Sequence, residues 1–463
     1  MEEWTQTLGA LPLLGIAAAA IAVILFLVIV VKLHAFLVLV LVSLLTALAT
    51  GIPTGEISGV LVSGFGGTLG SVALLVGLGA MLGSLVESSG GARVLAEKMV
   101  DVFGEKRAAF ALGIASLIIG FPMFFDAGLI VMLPVVFAVA RRVGGNNLLL
   151  YGISSAAAFS VMHVFLPPHP GPVTATEYFE ANLGLVLLVG MLVAFPTWYL
   201  SGYLWAKRVN KRIPMPVLAL FGRPEDDVQA VNPPKAGTVI GIIAVPMVLI
   251  FLNTGLDALG SIGVVDPAAL WVQFLTLIGT SPVALLISVL VALVVLGRAR
   301  GVGGSALEKI VERSLGPICS VILITGAGGM FGGVLRASGI GDALSGTLSD
   351  LGLPVIFAAY IIAVVLRLAQ GSATVALVTS AGLVAPAVIS GGFNPLEVAA
   401  ITLAAAAGSV FAGHVNDSGF WLVGRLMGMD VKTTLKTWTV QQGLESIIGF
   451  VLVLIVYLVA QLF

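Results

Sequence analysis

Charge is what this chain has least of. Its 463 residues carry 22 basic and 23 acidic side chains, 10% of the whole, where a globular protein has about 25%. So few cannot cover a water-facing surface on a chain this long, which marks an integral membrane protein. The net charge of −1 leaves no basic face for nucleic acid. A single cysteine, Cys319, excludes an intrachain disulfide, a Cys-based zinc site and an iron–sulfur cluster. Neither a His-Glu-x-x-His helix nor a Gly-x-Ser-x-Gly elbow is present. That leaves an intramembrane hydrolase built on His163, His169, His414 and an Asp as a remote reading only. Nothing implies a cofactor or a metal.

What the sequence has instead is apolar length: 59% hydrophobic residues and 57 glycines. The runs 17–31 and 283–296 are almost continuously apolar, which reads as helix and not as the alternation of a transmembrane β-barrel. Glu2 and Glu3 precede the first run in place of a basic signal-peptide region, so it is kept as a span. About twenty apolar residues cross a bilayer, which predicts spans near 11–31, 33–51, 68–87, 149–166, 183–206, 237–255, 268–296, 315–336, 398–412 and 440–462. Two further stretches, 108–141 and 354–389, are too long for one helix and too short for two spanning ones. Each is broken near its middle, at 121–128 and at 370–374, and reads as a re-entrant hairpin. The expected fold is all-α and polytopic, with ten spans and two hairpins.

Lys and Arg gather in cytoplasmic loops. With both termini outside, Lys32, Lys106, Arg107, Arg141, Arg142, the 207–212 cluster, Arg298, Arg300, Arg425 and Lys432 all fall inside. Arg336 is the exception. The first hairpin then opens from the cytoplasm and the second from outside.

The chain also repeats itself. Gly77–Gly83 reappears as Gly326–Gly332 at an offset of 249, and the same offset relates Ser89-Gly90 to Ser338-Gly339 and Ala156–Ala158 to Ala405–Ala407. His163 matches His414 two residues later. The first repeat is 1–206, with hairpin 108–141 and broken helix 149–182; the second is 237–463, with hairpin 354–389 and broken helix 398–424. A Pro-rich cytoplasmic linker, 207–236, joins them. Five spans per half, an odd number, would invert the second copy, a recurrent secondary-transporter design.

The site is expected where the two hairpin tips and the two helix breaks meet. Non-helical backbone at membrane depth survives only in protein or beside a wet cavity, and half-helix N-termini there favour an anion such as a carboxylate. Arg367 is the one cation deep in an apolar segment; it reads either as a partner for a substrate carboxylate or as a structural partner of Asp417 or Asp126. Asp126 is either a proton carrier or a helix cap. His163, His169 and His414 can shuttle protons or bond a hydroxyl. Asn416 and Asp417 are the polar pair of the second break, and Ser372 and Thr374 offer hydroxyls at the second tip, where their alternative role is capping. Glu87, Arg336 and Glu445 lie nearer span ends and read as interfacial or structural. The Gly-rich runs 77–83 and 326–332 read as helix-packing faces.

Three motifs make the sequence recognisable: Phe165–Pro172 (FLPPHPGP), Leu366–Thr374 (LRLAQGSAT) and His414–Trp421 (HVNDSGFW). Together with Gly66–Ser71 they closely resemble signatures of the gluconate permease family, and the likeness runs in order along nearly the whole chain. The resemblance implies a proton-coupled importer of gluconate or a related sugar or hydroxy acid in a bacterial inner membrane. It further implies a homodimer with scaffold and transport domains and elevator motion. Family members often have Glu where Asp126 stands and Pro where Ser418 stands. In the resulting expectation the substrate carboxylate meets helix N-termini, Ser372, Thr374 and Arg367 beside Gly371 and Gly128, and its hydroxyls meet Asn416, His169 and His163. Asp126, Asp417 or His414 takes the coupling proton. A sodium-coupled carboxylate transporter of the same architecture is the nearest alternative.

Overall fold

The structure is a computed structural model that describes residues 5–143, 147–216, 232–261, 263–340, 343, 354–414 and 417–462. Every named element among them is a helix. Among the described residues, seven helices are long and apolar enough to cross a membrane, and six shorter apolar ones accompany them. Residues 217–231, half of the linker expected at 207–236, lie outside the described residues, as does Asn416.

The first half runs α1 (Ala10–Leu25), α2 (Ala35–Ala49), α3 (Thr54–Ser88), α4 (Gly91–Phe103), α5 (Ala108–Gly120), α6 (Phe125–Val143), α7 (Leu148–Phe165), α8 (Pro170–Tyr178), α9 (Leu183–Thr197) and α10 (Trp205–Arg212). The second half runs α11 (Ala236–Ser261), α12 (Leu270–Gly279), α13 (Ser281–Ala292), α14 (Gly304–Ala337), α15 (Val355–Gln370), α16 (Ala373–Ser390), α17 (Pro395–Ser409), α18 (Ser418–Leu426), α19 (Val431–Thr434) and α20 (Val440–Ala460). The order long helix, helix pair, interrupted helix, terminal helix thus occurs twice. The helix pairs α5–α6 and α15–α16 stand where the hairpins are expected.

The interruptions follow from local chemistry. Proline lacks an N–H and cannot continue a helix, so α7 stops at Phe165 before Pro167 and Pro168. Pro170 then occupies the first turn of α8, where a missing donor costs nothing. Asn394 and Glu397 form a reciprocal capping box at the start of α17, each satisfying the other's backbone N–H. Gly371 ends α15 with φ +83°, a conformation that favours glycine, and Ser372 caps α16 by accepting from the Val375 N–H.

Three spans differ from the sequence reading. α3 begins at Thr54 instead of 68 and α14 at Gly304 instead of 315. Their early turns are rich in glycine and polar residues, yet they hold because the two helices cross closely: a Cβ on Gly64 would lie 2.8 Å from the Gly329 carbonyl. The expected span 268–296 is two helices parted at Thr280, because Pro282 starts α13 afresh.

α7 and α17 form the centre. From Leu148 to Phe165 every α7 residue but Leu150 and His163 is buried, and Ala399–Ser409 of α17 is buried throughout. Small side chains at Ala156–Ala158 and Ala404–Ala407 let neighbouring helices approach. The periphery is the opposite: α12 presents Leu270, Trp271, Phe274 and Leu277 outward, and α20 presents Val451, Ile455 and Leu458. An apolar surface of that kind suits lipid and not water.

Candidate functional site

One cavity of about 780 Å³ lies between the two halves. Its wall includes Pro122–Ala127 of the first helix pair and Arg367 and Ser372–Val375 of the second. Ser160, His163, Val164 and Pro170 come from the first interrupted helix, and Val410 and Asp417–Gly419 from the second. Four helices therefore begin at this cavity: α6, α8, α16 and α18. Each helix N-terminus leaves N–H groups without intrahelical partners and carries partial positive charge. Ala373 and Thr374 offer such groups most directly, whereas the first turn of α18 is capped by Asp417, which accepts from the Gly419 N–H at 3.0 Å.

Tips and breaks are tied together around the cavity. Arg367 donates to the Gly371 carbonyl and, at 2.7 Å, to Oδ2 of Asp417. It thereby links the tip of the second pair to the second break. Of the two acidic partners that the sequence offered Arg367, the structure gives it Asp417. Both are buried, so the pair is a desolvated one. On the other side, His163 Nε2 lies 3.3 Å from the Thr374 hydroxyl, joining the end of α7 to the start of α16. The His163 and His169 rings are 4.8 Å apart, Phe124 packs edge-on to His169, and His169 Nε2 lies 2.8 Å from the Gly120 carbonyl.

Of the other residues singled out from the sequence, Asp126 is exposed in the wall, in the first turn of α6. His169 stands directly behind the wall, holding His163 and the first tip. Gly371 acts through its carbonyl. Gly128 makes room for Phe159, whose ring a Cβ there would strike. His414 lies outside the wall, and its Nδ1 has no hydrogen-bond partner among the described residues.

The sequence reading passed over Ser160, Trp438 and Gln442, which complete the wall. Trp438 and Gln442 come from the segment that opens with a π turn, Leu435–Thr439, before α20. Their signal was present: Gln441, Gln442 and Glu445 share a face of an apolar helix, and polar side chains inside a membrane are rare enough to mark function. Among the described residues, four buried polar atoms of wall residues lack a protein partner: His163 Nδ1, Thr325 Oγ1, Arg367 Nε and Trp438 Nε1. A buried donor left unmatched costs about 1–3 kcal/mol, so these atoms suit a ligand with several oxygens. The wall also reaches Glu87 at the end of α3 and Arg313 near the start of α14.

The Gly-rich runs seat the site. A Cβ on Gly79 would lie 2.9 Å from Pro168, and one on Gly83 would strike the Pro122 carbonyl. A Cβ on Gly328 would lie 2.7 Å from Val378 of α16, whereas one on Gly332 would have 3.6 Å to Gly382.

Comparison with known proteins accords with this architecture. The chain matches the description GntP family permease over residues 11–459. It is 40% identical over 453 residues to the inner membrane permease YgbN of Escherichia coli, covering 96% of this chain and 97% of that one. To a gluconate permease of Bacillus subtilis it is 38% identical over 450 residues, covering 96% and 99%. The YdaH transporter of Alcanivorax borkumensis shares the fold with a TM-score of 0.60 at 17% identity, over 90% of this chain and 98% of that one. The protein is a multi-pass membrane transporter and not an enzyme, and it belongs to the GntP permease family.

Proposed function

We propose that the protein imports gluconate or a closely related sugar acid into a bacterial cytoplasm by proton symport across the inner membrane. The observation that carries this reading is the cavity itself, on which four helix N-termini converge around Arg367 and the paired hydroxyls of Ser372 and Thr374. Such an arrangement holds a carboxylate without a surplus of basic side chains. Unpartnered donors on Trp438 and the His163 ring, with the nearby polar groups of Ser160 and Gln442, suit the hydroxyls of a polyol chain. The similarity to a gluconate permease supports the same substrate class.

In this reading the two halves are inverted copies and the helix pairs are re-entrant hairpins. The cavity reaches Glu87 and Arg313, beside the basic loops that the positive-inside rule assigns to the cytoplasm, so the conformation is inward-open. Transport is then a displacement of the hairpin-bearing bundle against α3 and α14, within a homodimer. The glycines of those two helices, against which Pro168, Pro122, Val378 and Gly382 rest, mark the surface along which it runs.

The test is uptake of labelled gluconate into proteoliposomes under an imposed proton or sodium gradient, with unlabelled hydroxy acids as competitors. Concentrative uptake on an inward proton gradient, competed by gluconate, is the expected result. Uptake on sodium alone overturns the coupling, and failure of gluconate to compete overturns the substrate.

A further inference from the structure

Behind the cavity wall lies a carboxyl group that substrate binding does not use. Glu445, on α20, has no exposed surface. Its Oε1 accepts from the Ser160 hydroxyl at 2.9 Å, and its Oε2 accepts from the side-chain amides of Gln441 at 2.8 Å and Gln442 at 3.2 Å. Ser160 and Gln442 are themselves wall residues, and the Gln442 amide also donates to the Ser160 oxygen at 2.8 Å. Only one hydroxyl and one amide thus separate this carboxyl from the cavity.

Among the described residues no cation is bonded to it, and Arg367 acts on it only through space. Arg367 is the buried cation of this region, and Asp417 already holds it. Of the other titratable groups on the elements around α20, Lys436 is exposed and five more have partners of their own. Tyr360 meets Ser446 at 3.1 Å, His163 meets Thr374, and Glu397 closes its own capping box. Tyr199 and Tyr203 stack on each other. Uncompensated, a buried carboxylate costs several kcal/mol, whereas a neutral acid needs no counterion. Three donors aimed at the two oxygens nevertheless give the ionised form a place to exist. The cage can hold either state, as a carrier that must both bind and release a proton requires. Asp417, by contrast, is already paired with Arg367, and Asp126 stands in the cavity wall itself.

We propose that Glu445 is a proton-binding site of transport, loaded from the cavity through Ser160. The Ser160 hydroxyl gives its proton to Oε1 while its oxygen takes one from solvent in the cavity, so that the serine ends unchanged and Glu445 ends neutral. The Gln442 amide has two hydrogens for three acceptors, Ser160, Gln441 and Glu445, so its bonding shifts with the charge on Glu445 and carries that charge state into the substrate wall. This inference rests on the proton-symport reading above.

The decisive variant is Glu445→Gln in proteoliposomes, read in two ways. Gluconate counterflow at equal pH on both sides needs no net proton movement and is expected within about two-fold of the unaltered protein. Gluconate-evoked proton entry, followed with a trapped pH dye, is expected to fall at least ten-fold. Retained proton entry overturns the assignment, and so does equal loss of counterflow and proton entry, the mark of a structural role. Should Glu445→Gln fail to reach the membrane, Gln441→Met, which removes a donor to Oε2 at a residue outside the cavity wall, decides. Losing a donor to the carboxylate favours the protonated form, so the upper pH limit of uptake is expected to move toward alkaline pH; an unmoved limit overturns the proposal. If the unaltered protein itself runs on sodium and not protons, the symport reading falls instead, and the two failures stay distinct.

Discussion

The two sides of the cavity are held by different means. On the first side the tip is fixed by rings: Phe124, His163 and His169 pack on one another, and His169 is anchored on the Gly120 carbonyl. On the second side a single ion pair, Arg367 with Asp417, fixes tip to break. The elements correspond in order, so the difference lies in the chemistry of the clasp. Rings tolerate the loss of one contact, because the remaining area still packs. A desolvated ion pair does not, because removing one partner strands the other charge.

The largest expected effect follows from that asymmetry. Arg367→Ala should lower stability by about 3–5 kcal/mol, seen as a drop in the thermal unfolding temperature in detergent, and should abolish uptake. Pairing Arg367→Met with Asp417→Asn removes both charges while keeping a cap for α18, and it should recover most of the stability without restoring uptake. A double variant no more stable than the single one would show that charge is not what distinguishes the second clasp.

His169→Ala tests the first clasp. It leaves the Gly120 carbonyl buried and unpaired, with an expected loss of about 1–3 kcal/mol, and His169→Gln, which restores a donor, should recover part of it in the same melting experiment. Next come the matched glycines. Gly83→Ala drives a methyl into the Pro122 carbonyl and should cost about 1–3 kcal/mol. Gly332→Ala, where the nearest atom would be 3.6 Å away, should stay within about 0.5 kcal/mol. Equal melting shifts for the two would erase the contrast between the halves. Among the site residues the smallest effect belongs to Thr374→Ala, which removes one neutral hydrogen bond of about 1 kcal/mol. It should raise the KM for uptake several-fold with little change in maximal rate.

These contrasts were only partly readable in the sequence. The breaks were, because they are local: Pro167–Pro172 withholds donors wherever the chain goes, and Gly371-Ser372 is a helix stop followed by a cap. The early starts of α3 and α14 were not, since glycines that look like loop residues alone become helix contacts once Gly64 meets Gly329. The Arg367–Asp417 pair was one of two pairings the sequence allowed, and only the fold chooses. The Glu445 cage was hidden by distance, because Ser160 and Glu445 lie 285 residues apart in the chain. At that separation a carboxyl in an apolar helix looks like a residue at a membrane edge.

The Arg367–Asp417 contact also has an electrical consequence. Moving one elementary charge through 100 mV takes about 2.3 kcal/mol. A guanidinium crossing any part of that field alone would make the position of α15 depend on the membrane voltage. Clasped to a carboxylate 2.7 Å away, the two side chains form a unit of zero net charge. Any displacement that keeps them together therefore does no electrical work on their account, and the voltage dependence of turnover counts only what travels in the cavity and on the acids that load from it.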